Sequence, residues 1–247
     1  MNESDPSNWL QEHFSEIEKE TESKIGDERF SWLGHGDICN DIFGSVAETV
    51  PKEEKLNSFL ILRLFELQKT LLFLQMCANY GAYRPLIREL RFFLESFVQA
   101  YYLDKTYPAM TIYEKFEELK ENETDLYGIK LFERLDFKPW DEIYKLYRYL
   151  SKYEHSSPEE LREAIEEGKV TDRFVDTFDK DLYKKCVLLT NETLDHAFYF
   201  TLRKFPEAIP KLMEKENISF WFDKLEYERT KDFISTTLNK NKKKPIK

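Results

Sequence analysis

Residues 53–104 hold two long apolar segments separated only by the turn sequence around Gly81, and this pair constrains the fold more than any other feature of the chain. The first segment, residues 53–80, is apolar over most of a helical circumference, which suits a central position in a bundle. Gly81 is a natural stop, because glycine enters the left-handed conformation past a helix end without a Cβ clash. The second segment, residues 83–104, tolerates Pro85 in its first turn. Its Leu86, Leu90, Phe93, Phe97 and Tyr101 recur at helical spacing and form one buried stripe. A link this short makes the two helices antiparallel neighbours. Arg63, Glu66 and Lys69 within the first argue against a membrane span.

The rest of the chain reads the same way. Only 7 of 247 residues are Gly, against a usual ~7%. Leu, Glu, Lys, Phe and Tyr dominate, with few β-branched runs, so the expected fold is all-α: a bundle of three long and several shorter helices. A first helix is predicted over 6–25. Residues 26–52 carry Gly26, Gly34, Gly36 and Gly44 and are predicted to be the least regular part, with short helical pieces and tight turns closed by Pro51. Shorter helices are expected over 109–121 and 125–135, after the Tyr107-Pro108 break. Pro139 opens a helix over 140–155, and Ser157-Pro158 starts another that ends near Gly168. The third long helix falls within 174–204, where Leu182, Cys186, Leu189, Thr193, His196 and Phe200 keep helical spacing. The organisation read from this is an N-terminal helix and irregular segment over 1–52, a bundle core over 53–205, and a helical appendage over 206–247 with a basic disordered tail. No internal repeat is present, which argues against a repeat scaffold.

Charge and cysteine usage exclude several functions. The net charge is −10, so a chain that coats nucleic acid non-specifically is not expected. Cys39, Cys77 and Cys186 lie far apart with no CxxC spacing, which suggests neither a zinc site nor a disulfide framework and fits a reducing cytoplasm. The polar N-terminus MNESDPSNWLQEH is no signal peptide. His35, Asp37 and Cys39 alternate in LGHGDICND, which is not a metal-site spacing, and GHG lacks the Gly-Lys-Ser/Thr of a phosphate loop. No cofactor and no metal are expected. His196, beside Asp195, reads as a partly buried structural histidine.

Arg148 and His155 are the pair that suggests chemistry. Seven residues is nearly two helical turns, so the two share a stripe with Ser151 and Tyr144. A fixed cation beside a group that titrates near neutrality suits work on a phosphodiester. The plain reading is a surface arginine and a histidine near a helix C-terminus, where its cation meets the dipole. Arg91 and Glu95 also have two readings: an i,i+4 pair on a solvated face, or a pair turned inward toward Arg148 and His155.

The stretch LYRYLSKYEHSSP resembles the HEPN superfamily, whose signature is Arg-x(4–6)-His near the end of a bundle helix. YGAYRPLIRELRFFLESFVQAYYLD, with Arg91-Phe-Phe-Leu-Glu95, is similar to a helix at the corresponding place in several of its branches, and the resemblance covers roughly residues 55–200. It implies a helical bundle that forms a homodimer, and in active members a metal-independent endoribonuclease of the toxin or defence type. Arg148 would then stabilise charge on the RNA phosphate, and His155 would move the proton. Ser151, Tyr144, Arg91 and Glu95 would support them. Tyr149 stands where active members carry a small polar residue. Many branches are non-catalytic, so the competing expectation is a helical interaction module acting through a dimer face or a protein partner.

Overall fold

The computed structural model describes residues 6–26, 30–122, 124–134, 140–152 and 178–242, and the description below concerns these. Among the described residues there are twelve α-helices, one 3-10 turn and no strand, so the chain is an all-α bundle. The helices are α1 (Pro6–Ile25), α2 (Phe30–Thr49), α3 (Lys52–Leu56), α4 (Phe59–Asn79), α5 (Tyr83–Thr106) and α6 (Ile112–Glu121). They continue as α7 (Gly128–Glu133), α8 (Trp140–Ser151), α9 (Lys180–Lys204), α10 (Ile209–Leu212), α11 (Ile218–Lys224) and α12 (Glu228–Lys242).

The turn around Gly81, with φ +72°, folds α5 back on α4 as its shortness demands. The inner member of the pair is α5, not the more apolar α4. Helices α4, α7, α8 and α9 all pack on α5, which buries Leu86, Leu90, Leu94, Phe97 and Leu103. Helix α4 buries Leu60, Leu64, Leu67, Leu71 and Leu74 but leaves Phe65, Leu72, Phe73 and Met76 between 44% and 64% exposed. The expectation of a central α4 is thereby corrected: its apolar circumference is wider than the surface its neighbours α1, α2, α5 and α9 cover.

The predicted helix over 53–80 is broken at Asn57 and Ser58. Ser58 caps α4, its Oγ accepting from the Ile61 N–H at 3.2 Å. The stronger reason lies 45 residues on. Asp104, buried near the end of α5, accepts from the N–H groups of Phe59 (3.0 Å) and Leu60 (3.1 Å) and from Ser58 Oγ (2.6 Å). Lys115 of α6, equally buried, donates to the same carboxylate at 2.8 Å and to the Asn57 carbonyl at 2.6 Å. The exposed N–H groups at the start of α4 thus meet an anion that is itself neutralised by a cation. Thr111 and Glu114 start α6 with a capping box.

Residues 30–49 form one continuous helix, which corrects the expectation of an irregular, turn-rich segment there. Gly34 does not make a turn. It makes room: a Cβ at this position would lie 2.4 Å from Trp221 Cε3, so the α11 indole packs against bare backbone. Beside it, Trp32 Nε1 donates to the Tyr183 hydroxyl at 3.1 Å, and the buried His35 ring stacks on Tyr227. Among the described residues the long helices therefore number five: α1 and α2 with 20 residues each, α4 with 21, α5 with 24 and α9 with 25.

Helix α9 crosses α5 and carries the C-terminal elements. Asp195 caps α12 as Asp104 caps α4, accepting from the N–H groups of Arg229 (3.0 Å) and Thr230 (2.9 Å). Residues 206–234 place Ile209, Leu212, Phe222, Leu225, Tyr227 and Ile234 in the same hydrophobic core as the central pair.

Removing the Asp104 carboxylate leaves Lys115 buried without its partner. Asp104→Ala should cost about 3–5 kcal/mol in urea denaturation, well above the ~1 kcal/mol expected for Ser58→Ala. Gly34→Ala should destabilise by about 1–3 kcal/mol through overpacking against Trp221. In a Trp221→Leu background the sign should reverse, because Ala is the better helix former once the clash is gone.

Candidate functional site

Helix α8 positions the predicted pair. Its inner face carries Ile143, Leu146, Tyr147 and Leu150, all buried against α5 and α7. With that face fixed, the residues at i+3 and i+4 spacing on the other side point to solvent. Lys145, Arg148 and Lys152 form an exposed cationic ridge along the C-terminal half of the helix. The Arg148 guanidinium stands 5.8 Å from the centre of the Tyr144 ring, and no carboxylate among the described residues pairs with it. His155 lies outside the described residues.

The supporting residues fall in two groups. Tyr144 lies under Arg148, with its ring 5.9 Å from Phe132. Ser151 donates to the Tyr147 carbonyl at 2.8 Å, one turn back on its own helix, rather than reaching Arg148. Arg91 and Glu95 keep the i,i+4 pairing of the first reading but turn inward rather than onto a solvated face, and the second reading's approach to His155 concerns a residue outside the described ones; in the interior Arg91 meets Tyr147 and Glu95 meets Gly128. Arg91 donates to the Tyr147 hydroxyl at 2.9 Å and lies 5.2 Å over that ring. The Glu95 carboxylate is 3.8 Å from Arg91 and accepts from the Gly128 N–H at 2.5 Å. Gly128 has φ +59°, a conformation in which any other residue is strained, so this anchor fixes how α7 begins. These two buried charges hold α7 and α8 on α5 and thereby set the direction of the ridge.

Sequence reasoning missed the groove beside that ridge. Lys145, Leu146 and Tyr149 of α8 face Lys185, Leu188 and Glu192 of α9 across an open depression of about 450 Å³. Lys185 stands 5.2 Å over the Tyr149 ring. Leu188 is 57% exposed at its floor. Burial raises the Glu192 carboxyl above its usual range, and the nearby Asp195 pushes in the same direction. The two sides of this groove are some 40 residues apart in sequence, so no local motif announces it.

Of the other histidines, His35 and His196 are buried. His35 Nδ1 is 2.6 Å from the Tyr227 hydroxyl, and its Nε2 is buried without a partner. His196, on α9, buries Nδ1 without a partner. Burial lowers His35 to about 3 and His196 to about 4.

No protein-family model, curated protein or solved structure matches this chain.

The buried rings give a pH prediction. Both histidines stay neutral in the folded chain down to about pH 4, whereas the unfolded chain protonates them near 6.5. Their contribution is fully present above pH 6.5 and is lost as pH falls from there toward 4. The slope should reach ~3 kcal/mol per pH unit for the two together. Urea midpoints between pH 7 and 5 should show it, and His196→Leu should roughly halve it.

Proposed function

We propose that this chain is a HEPN-like, metal-independent endoribonuclease, acting as a homodimer in the cytoplasm. The observation that carries the reading is the state of Arg148. In a chain of net charge −10, it is an exposed arginine with no carboxylate partner among the described residues, on a ridge with Lys145 and Lys152. A guanidinium left open in this way is suited to bind a phosphate through paired N–H groups. Tyr144 beneath it and Lys185 over the neighbouring Tyr149 ring keep the surroundings of the ridge cationic and aromatic. The buried cysteines Cys39, Cys77 and Cys186, none in a disulfide, are compatible with a reducing compartment, and no described helix is long and apolar enough to cross a membrane.

In this reading the RNA 2′-hydroxyl loses its proton to His155 and attacks the adjacent phosphorus. The bond to the 5′-oxygen breaks, and that oxygen takes up a proton as it leaves. Arg148 offsets the charge that grows on the phosphate oxygens as the fifth bond forms. The products are a 2′,3′-cyclic phosphate and a 5′-hydroxyl, and no metal enters the scheme. The inward-turned Arg91 and Glu95 act at one remove, by holding α8 in place.

The second reading, a non-catalytic interaction module, is favoured by a different observation: the uncovered apolar side of α4. Cleavage of single-stranded RNA in EDTA separates the two. Under the nuclease reading, the wild type should yield cyclic-phosphate ends, with a loss of at least about 100-fold in Arg148→Ala and in His155→Ala. Equal cleavage by wild type and His155→Ala, or none by a well-folded wild type, would shift the assignment to the module.

A further inference from the structure

We propose that the groove between α1 and α4 is the docking site for a basic amphipathic helix of a partner protein, a role independent of the Arg148 ridge. Its floor is apolar, lined from the α4 side by Phe73, Met76 and Tyr80. Phe73 and Met76 are 44% and 56% exposed, and Leu72, at 64%, stands next to Phe73 on the outer side of α4. Phe73 and Tyr80 are seven residues apart, a span of about 10 Å or two helical turns. Phe14 of α1 and Tyr80 extend the same surface into an open groove of about 640 Å³. Apolar side chains gathered this way mark an interaction surface rather than the scattered exposure normal for a soluble protein. An elongated apolar trough beside a helix fits the apolar stripe of another helix.

The charge at its edge selects the partner. Glu18 lines the groove, and Glu12 and Glu16 line the adjoining depression on α1 together with Lys19. Lys24, also on α1, is already paired with Glu20. Lys69 is the exposed cation on α4 and precedes Phe73 by one turn. The edge is therefore acidic along α1, and a helix with lysines or arginines flanking its apolar stripe is complementary to it. A second copy of this chain fits poorly, since it brings the same acidic edge and a net charge of −10 to the contact.

The test uses a labelled synthetic helix of about five turns, with leucines at i, i+3, i+4 and i+7 and lysines elsewhere, and a matched peptide with glutamates for the lysines. Fluorescence anisotropy against the full chain should show saturable binding of the lysine peptide, at least about tenfold weaker binding of the glutamate peptide, and weakening with salt. Phe73→Ser combined with Met76→Ser should reduce binding at least about tenfold. Both positions are solvent-exposed, so circular dichroism and the thermal midpoint should stay near wild type. Glu12→Gln, Glu16→Gln and Glu18→Gln together should flatten the salt dependence. Binding unchanged by both sets of substitutions, or no binding by the folded wild type, overturns the proposal. So does a wild-type dimer that Met76→Glu converts to monomer, since a second copy would then own this face.

Discussion

The Asp104 carboxylate is the point on which the arrangement of α4, α5 and α6 depends. It sits in the interior at 1% exposure, where an unpaired anion would be expelled or neutralised. Four donors meet it: two backbone N–H groups at the start of α4, the Ser58 hydroxyl and the Lys115 ammonium. Each donor comes from a segment that must be in place for the others to be satisfied. The apolar contacts around it would tolerate a small slide of α4 along α5, whereas the carboxylate does not, because its bonds have fixed lengths and directions. Asp195 repeats the device on α9, with α12 as the capped helix. In both cases a side chain on one helix ends another, so helix boundaries and tertiary packing are a single event.

The same central helix carries this order to the candidate site. One turn after another along α5, Arg91, Glu95 and Gln99 point inward and engage Tyr147, Gly128 and the Leu126 carbonyl. They leave α7 and α8 with one seat on the core. The cationic ridge of Lys145, Arg148 and Lys152 is the outer side of a helix whose inner side is held by those bonds. The ridge thus depends on the polar interior of α5 although it touches none of it.

Two surfaces of opposite character follow. The α8–α9 side gathers Lys145, Arg148, Lys152 and Lys185 around tyrosine rings. The α1–α4 side gathers uncovered apolar residues beside glutamates. In a chain this acidic overall, the concentration of cations on one helix pair is informative because composition alone would not supply it.

Much of this was legible in the sequence. Scarce glycine and helical apolar spacing determined an all-α chain, and the Gly81 link determined that α4 and α5 run antiparallel. The apolar line Ile143, Leu146, Tyr147 and Leu150 determined on which side of α8 Arg148 stands, while its spacing to His155 concerns a residue outside the described ones. What stayed hidden depends on partners distant in sequence. The glycines of residues 30–49 suggest turns until Trp221, some 190 positions away, is seen to need the space at Gly34. The break at Ser58 needs Asp104, and the inward turn of Arg91 and Glu95 needs Tyr147 and Gly128. An all-round apolar segment such as α4 reads as central, yet the helix whose circumference its neighbours cover more fully is α5. Periodicity is a local property of a helix, so the chain displays it directly; where a buried charge finds its donors is a property of the folded interior, and only the tertiary structure decided it.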